Sequence, residues 1–455
     1  MPKKTPALVA AAAAPLPLTY TTPDGRTYPV TGKKPPRSVS YSQLTAFEEC
    51  GQLHHLVRNL RVVKGFEGNV YTEMGSACHE PIEVWLRQFM DEGEVVYKTP
   101  YDYMVANGGY WDTKLAEMGL QELKPRLQAY AHHTTTLYWR SHPGFTGKDA
   151  IRKADGTPAS MPSMTKGWTD YAKANGLYKL ESEINSLAAR VDLKFKDIPF
   201  AQVYAESLGI MFPYLHPAAI ASVVAVELPI SEVMFQASNL DNTPMYDDAG
   251  EPVPSSVRRG PHPVWVDDAG KPVNFLEVIH PFWLPVLDPE TGELVPDPQN
   301  PGDYVRRDDV VFTGFIDLVA RDADGQLMIV DHKTSGGDPP GKVKIEHHEQ
   351  LNLYGFMVTQ LFGEQPKTLA INHLRSNKLP AATYLPERGK AAVERLLSLV
   401  REIDLRVYTK RDPFSFSNPC IKKGRNKGDA EILCPGLAHC HPSIHAVYKK
   451  AGLAA

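Results

Sequence analysis

The chain has 455 residues, 42% hydrophobic and 22% charged, an ordinary balance for a globular protein able to bury a sizeable core. Its formal net charge is −4, so bulk charge predicts no nucleic-acid partner, and any such partner has to be drawn by local basic patches. No apolar run is long enough to cross a bilayer, and five cysteines, an odd number, argue against an extracellular disulfide framework and for a reducing cytoplasm.

In chain order, residues 1–37 are rich in Ala, Pro, Thr and Lys and read as a flexible arm. The start imitates a secretory signal, but Pro6, Pro15 and Pro17 interrupt its apolar stretch. From Ser38 onward we expect one large domain. It comprises N-terminal helices over 38–90, a helical insertion over 91–220, a sheet over 221–374 and a C-terminal helix and Cys-containing tail over 375–455. Ser40 or Ser42 can cap a helix through Leu44, Phe47 and Cys50. A second helix is expected over Gly75 to Met90, with Ile82, Leu86 and Phe89 on one face. The pattern over 110–140 is also helical, and 144–170 is loop-like. Ala221 to Ile230 reads as a buried strand. Residues 240–308 are dense in Pro, Asp and Gly, and Asp247-Asp-Ala-Gly-Glu-Pro-Val253 nearly recurs as Asp267-Asp-Ala-Gly-Lys-Pro-Val273. Both read as turns at the tips of strand pairs in a hairpin insertion. Val310 to Ala320 and Leu327 to Lys333 are strands joined at Asp322-Ala-Asp-Gly325. A helix over 346–362, a strand over 368–374 and a helix over 389–408 follow, and the tail from Arg411 reads as irregular.

The chemistry concentrates at Gly314-Phe-Ile-Asp317 and Asp331-His-Lys333. Side chains alternate along a strand, so Asp331 and Lys333 point one way and His332 the other. If residues 323–325 form the hairpin loop, Asp322 pairs with Gln326 and Asp317 lies opposite Asp331 on the same face. Two carboxylates so placed repel unless a cation sits between them, and oxygen ligands of this kind suit Mg²⁺ or Mn²⁺. Such an ion polarises a phosphodiester and acidifies water, while Lys333 orients that water or offsets charge on phosphorus. An isolated Asp-x-Lys is more often a surface salt bridge on a hairpin.

The accompanying segments reverse that judgement. Gly-x-x-Asp, then Asp-x-Lys on a hydrophobic strand, then Gln350-Leu-Asn-Leu-Tyr354 on the next helix resemble the RecB-like nucleases of the PD-(D/E)XK superfamily. Gly75-Ser-Ala-Cys-His79 and Ser40-Tyr-Ser-Gln-Leu-x-x-Phe47-x-x-Cys50 resemble that family's upstream motifs. The CRISPR-associated RecB-like exonucleases and the nuclease domains of recombination helicase–nucleases share this pattern. The resemblance implies an α/β fold, a mixed central sheet flanked by helices with helical and hairpin insertions. It also implies that 38–455 is a single nuclease domain. It makes His79 a third metal ligand, and the His332 backbone carbonyl a further one. It sets Gln350 and Tyr354, which share a helix face, near the DNA backbone. The competing readings are a structural His79 and a Tyr354 in the core. Glu227, a carboxylate in an apolar strand, is either a supporting acid of the site or one half of an edge-strand salt bridge.

One remote cysteine, Cys50, and three late ones, Cys420, Cys434 and Cys440, resemble the iron–sulfur subset of these nucleases, which holds a [4Fe–4S] cluster on four thiolates. The Cys434-x5-Cys440 spacing fits, but thirteen residues separate Cys420 from Cys434 where that subset has Cys-x-x-Cys. Zinc on some of Cys420, Cys434, Cys440, His439 and His441 is the alternative, and free thiols are the third. Cys78 reads as a helix-packing residue.

Between Leu405 and Lys427 stand seven basic residues and one acid. Lys422, Lys423, Arg425 and Lys427 are grouped there, and Arg58 and Arg61 form a second group near Cys50. These are candidate phosphate contacts, although a charge run is more often a solvated face. No Gly-x-x-x-x-Gly-Lys-Ser/Thr motif supplies a motor. The expectation is a metal-dependent DNA exonuclease acting on ends or single strands. It would be cytoplasmic, from a host or a phage, and would work alone or with a separate helicase or recombination protein. A non-catalytic DNA-binding subunit and a duplex endonuclease are the alternatives.

Overall fold

The computed structural model describes residues 19–21, 27–29, 36–63, 70–90, 95–107, 109–131, most of 173–191, single positions between 204 and 211, 220–237, most of 245–280, 281–334, 345–374, 379–406, 408, 421–422, 432–433 and 437–450. The expected loop at 144–170 lies outside them. So do Cys420, Cys434, Lys423, Arg425 and Lys427, and the side chain of Lys422.

The chain divides into two compact units. The first comprises residues 1–39, 229–284 and 306–313. Strands β1 (Thr19–Thr21) and β2 (Thr27–Pro29) form an antiparallel hairpin inside the segment expected to be a flexible arm. Alternating Thr and Tyr on both sides of Pro23-Asp24-Gly25 is a hairpin pattern, which the arm's overall composition obscured. Strand β3 (Arg37–Val39) belongs to the same unit.

The second unit, residues 40–228, 285–305 and 314–455, begins with helix α1 (Tyr41–Glu49). Ser40 caps it, its Oγ accepting from Gln43 N at 3.4 Å while the Gln43 side chain accepts from Ser40 N at 3.3 Å. This reciprocal pair satisfies two otherwise orphaned N–H groups. Helix α2 (Gly51–His54) follows, with the Cys50 sulfur accepting from Leu53 N. Helix α3 (Val70–Arg87) begins five residues before the expected start at Gly75. A glycine inside a helix costs about 1 kcal/mol relative to alanine and therefore reads as punctuation. Here the helix runs through it, and His79 sits mid-helix instead of at a helix start. Helices α4 (Pro100–Asn107), α5 (Gly109–Glu117), α6 (124–131) and α7 (Leu177–Val191) build the insertion.

Strand β4 (Ser222–Ile230) fulfils the expected buried strand. In the first unit β5 (Glu232–Gln236) pairs with β8 (Asn274–Ile279), and β6 (Val257–Arg259) with β7 (Trp265–Asp267). The two Asp-Ala-Gly segments are Asx turns, as expected. Asp247 Oδ1 accepts the N–H groups of Ala249 and Glu251, Asp267 Oδ1 accepts that of Lys271, and Gly250 and Gly270 hold φ of 81° and 80°. Strand β9 (Trp283–Pro285) lies beside β10 (Arg306–Phe312), which runs parallel to β3. The expected single strand 310–320 is in fact two. It breaks at Thr313, whose N–H donates to the Val39 carbonyl at 2.7 Å, and β11 (Gly314–Arg321) starts beyond the break.

The central sheet has the order β14-β13-β12-β11-β4, with β12 (Leu327–Lys333), β13 (Thr368–His373) and β14 (Ala381–Thr383). It is mixed: β11 and β13 are respectively antiparallel and parallel to β12. Helices α8 (Ile345–Phe362) and α9 (Pro386–Asp404) pack on one another, and α8 packs on β12 and β13. One face of the sheet, through Leu318, Ala320, Met328, Val330 and Ala370, joins a core with Cys78, Ile82 and Leu86 of α3 and Trp111 and Leu115 of α5. The tail expected to be irregular forms β15 (Ile421–Lys422), β16 (Ile432–Leu433), α10 (Leu437–Cys440) and α11 (Pro442–Lys450). Pro442 at the first helical position is a start signal that the cysteine spacing overshadowed. Among the described residues, no helix is long and apolar enough to cross a membrane.

Candidate active site

The β11–β12 register pairs Leu318 with Val330 and Arg321 with Leu327, and Asp322 N donates to Gln326 O as expected for the hairpin. Carried one step past Leu318, this register puts Asp317 beside Asp331. Regular pairing stops there, because the His332 N–H donates to Asp317 Oδ2 at 2.6 Å. That bond fixes the Asp317 carboxylate at the mouth of the sheet. Odd-numbered residues share the face opposite the α3 core. Along β11 that face changes from exposed at Phe315 to half-buried at Asp317 and buried at Val319.

His79 lies on α3 next to the buried stripe Cys78, Ile82, Trp85 and Leu86. Its Nδ1 is 4.0 Å from Asp317 Oδ2 and 4.0 Å from Glu227 Oε1. One ligand atom from each of His79, Glu227 and Asp317 falls within 4.8 Å of the others. Two oxygens and an imidazole nitrogen so gathered fit a Mn²⁺ or Mg²⁺ ion. Glu227 is held there by an unusual backbone: its φ is 47° inside β4. A non-glycine residue in that region stores roughly 1–2 kcal/mol of strain. Burial, the Asp317 carboxylate and then Glu83 push the Glu227 carboxyl up to about 7. Mutual repulsion of this kind is what a shared dication relieves.

Asp331 and Lys333 point the same way, as strand alternation requires. Their Oδ2 and Nζ are 2.6 Å apart, with Asp331 buried and Lys333 half-buried. Asp331 lies close enough to raise the carboxyl of Glu227 and the phenol of Tyr354, yet its carboxylate is engaged by Lys333 rather than gathered with His79, Glu227 and Asp317. The His332 ring is buried on the other face, 3.2 Å from the Asn372 amide nitrogen and 6.1 Å between ring centroids from His79. Gln350 donates to the Tyr354 hydroxyl at 2.9 Å. Tyr354 is buried, and desolvation followed by nearby carboxylates moves its phenol above the ordinary range. It therefore belongs both to the core and to the rim of the site.

Of the sequence candidates, His79, Asp317, Asp331, Lys333, Gln350, Tyr354 and Glu227 converge. Cys50 is buried and Cys440 half-buried. Arg58 and Arg61 are exposed. The sequence left Glu227 open between a supporting acid and one half of an edge-strand salt bridge, because nothing local announces a positive φ in a Val-Ala-Val-Glu-Leu strand. Its only signal was a carboxylate among apolar neighbours.

Residues 258–416 match the family described as the PD-(D/E)XK nuclease superfamily. This segment contains Asp317, Asp331, Lys333, Gln350 and Tyr354, and the mixed sheet flanked by helices is consistent with that fold. Nucleases of this superfamily generally use Mg²⁺ or Mn²⁺. No curated protein matches the chain.

Proposed function

We propose that residues 38–455 act as one metal-dependent deoxyribonuclease, an exonuclease of RecB-like type working on DNA ends or single strands. The observation that carries this reading is the gathering of His79, Glu227 and Asp317, with the Asp331–Lys333 pair on the adjacent strand. His79, Glu227 and Asp317 would hold the ion, with Asp331 next to them. When bound, the ion supplies Lewis-acid polarisation of the phosphodiester and a more acidic water. Lys333 keeps its ammonium aimed by Asp331 and can donate to oxygen carrying developing negative charge. Gln350 fixes the Tyr354 hydroxyl at the rim, where it can meet a phosphate oxygen.

Cleavage of end-labelled linear DNA with Mn²⁺ tests the proposal, with Asp331→Ala and Lys333→Ala as controls. Each variant should lose at least about a hundredfold in rate while keeping its fold. Equal rates for wild type and both variants would sink it and favour the non-catalytic DNA-binding subunit. Covalently closed circles should survive, and their cutting would indicate an endonuclease.

The sequence argument also supports a [4Fe–4S] cluster on Cys50, Cys420, Cys434 and Cys440 that pins the tail against α1. It would bring the basic groups at Arg58, Arg61 and 422–427 toward DNA. Iron and zinc analysis of anaerobically purified protein tests it: about four irons per chain supports the cluster, and zinc alone replaces it. The protein would work alone or with a separate helicase or recombination protein.

A further inference from the structure

We infer that Phe315 is a stacking platform for an unpaired base of the substrate strand, so that the site prefers single-stranded DNA. This deepens the nuclease reading and rests on it. Phe315 is 57% exposed, on a strand whose other large apolar residues, Ile316, Leu318 and Val319, are fully buried. It stands two residues before Asp317, so its side chain lies on the same face about 7 Å away. An exposed aromatic ring thus stands on the strand that carries Asp317, two residues from a candidate metal ligand.

Single exposed hydrophobics are common and need no explanation. This one has a position that argues for an occupant. A phosphodiester seated at Asp317 carries its own nucleotide, whose base has to go somewhere within one strand step. Duplex DNA keeps that base stacked on its neighbours and offers Phe315 nothing. An unpaired strand can place the base on the ring, and base–aromatic stacking is largely independent of sequence.

The test uses the full-length protein with Phe315→Ala and Phe315→Trp variants. Binding of a single-stranded oligonucleotide carrying 2-aminopurine is measured by fluorescence with Ca²⁺, and cleavage of single-stranded and duplex oligonucleotides with Mn²⁺. Phe315→Ala should weaken single-strand binding about tenfold and raise KM for single strands, with kcat and duplex cleavage little changed. It should also abolish the 2-aminopurine quenching, and Phe315→Trp should restore both. The Mn²⁺-induced shift in melting temperature should match wild type in both variants, which separates a lost platform from a damaged metal site. Unchanged single-strand binding and quenching in Phe315→Ala overturns the inference. So does a change in oligomeric state with binding intact, which would make Phe315 a contact between copies. If wild type binds with quenching but cleaves nothing, the nuclease reading fails and the platform stands.

Discussion

At the residue scale the most informative group is Glu227, where backbone strain and carboxylate crowding coincide. Its carboxyl sits at about 7, against an ordinary value of 4.5. The unfolded chain therefore releases this proton first as pH rises. In the metal-free protein the folded state binds the extra proton between about 4.5 and 7, so stability falls across that window. A dication has to displace the same proton. The Mn²⁺-induced rise in melting temperature should therefore be small below pH 7 and grow above it, and Glu227→Gln should flatten the pH dependence. Thermal melts from pH 5.5 to 8.5 with and without Mn²⁺ check this. Glu227→Gly should make the metal-free protein more stable by about 1 kcal/mol, since glycine accepts a φ of 47° without strain, and should reduce the Mn²⁺ shift. A stability gain together with impaired metal binding would identify the strain as part of the site. Strand alternation put Asp331 and Lys333 on one face, as the structure has them, but only the accompanying motifs made Asp317, Asp331 and Lys333 a candidate site. Glu227's place beside His79 and Asp317 was not legible, because the sequence shows an acid in a strand but not the turn of backbone that aims it.

At the element scale, the helices that support the site depend on close packing around Tyr384. A Cβ at Gly355 of α8 would run into the Tyr384 ring, and one at Gly389 of α9 would meet its hydroxyl. Both helices therefore need a missing side chain there to close over the aromatic ring. Gly355→Ala should destabilise by about 1–3 kcal/mol, because the buried ring has little room to move. Urea denaturation should show a lower midpoint, and a Tyr384→Leu background should recover much of the loss. Arg395 of α9 reaches Glu48 of α1 and Glu349 of α8, tying all three helices together. Its side chain is nearly half exposed, so that link contributes modestly. Elements of this kind were legible where one period ran long, as in α9. They were missed where a single residue mimicked a boundary. Gly75 looked like a helix start, and the apolar run from Val310 to Ala320 hid the break at Thr313. Hydrophobicity alone cannot tell one strand from two that pair in different sheets.

At the scale of the molecule, every candidate catalytic and metal residue lies in the second unit, while the Asp-Ala-Gly hairpins lie in the first. The Asp-Ala-Gly turns were readable in the sequence, but not that the strands around them gather with β3 and β10 into a separate compact unit, because that grouping depends on pairings between residues hundreds of positions apart. This division makes function and stability separable. Gly250 holds φ of 81° at an exposed turn with open space around it. Gly250→Val should cost about 1–2 kcal/mol through backbone strain alone, since a β-branched residue is poorly tolerated at positive φ. The thermal transition of the first unit should fall by several degrees. Metal-dependent cleavage per folded molecule and the Mn²⁺ concentration for half-maximal rate should equal wild type at temperatures where both are folded. A changed metal requirement would mean that the two units are coupled through the site, and the hairpins would then have to be counted as part of the catalytic apparatus.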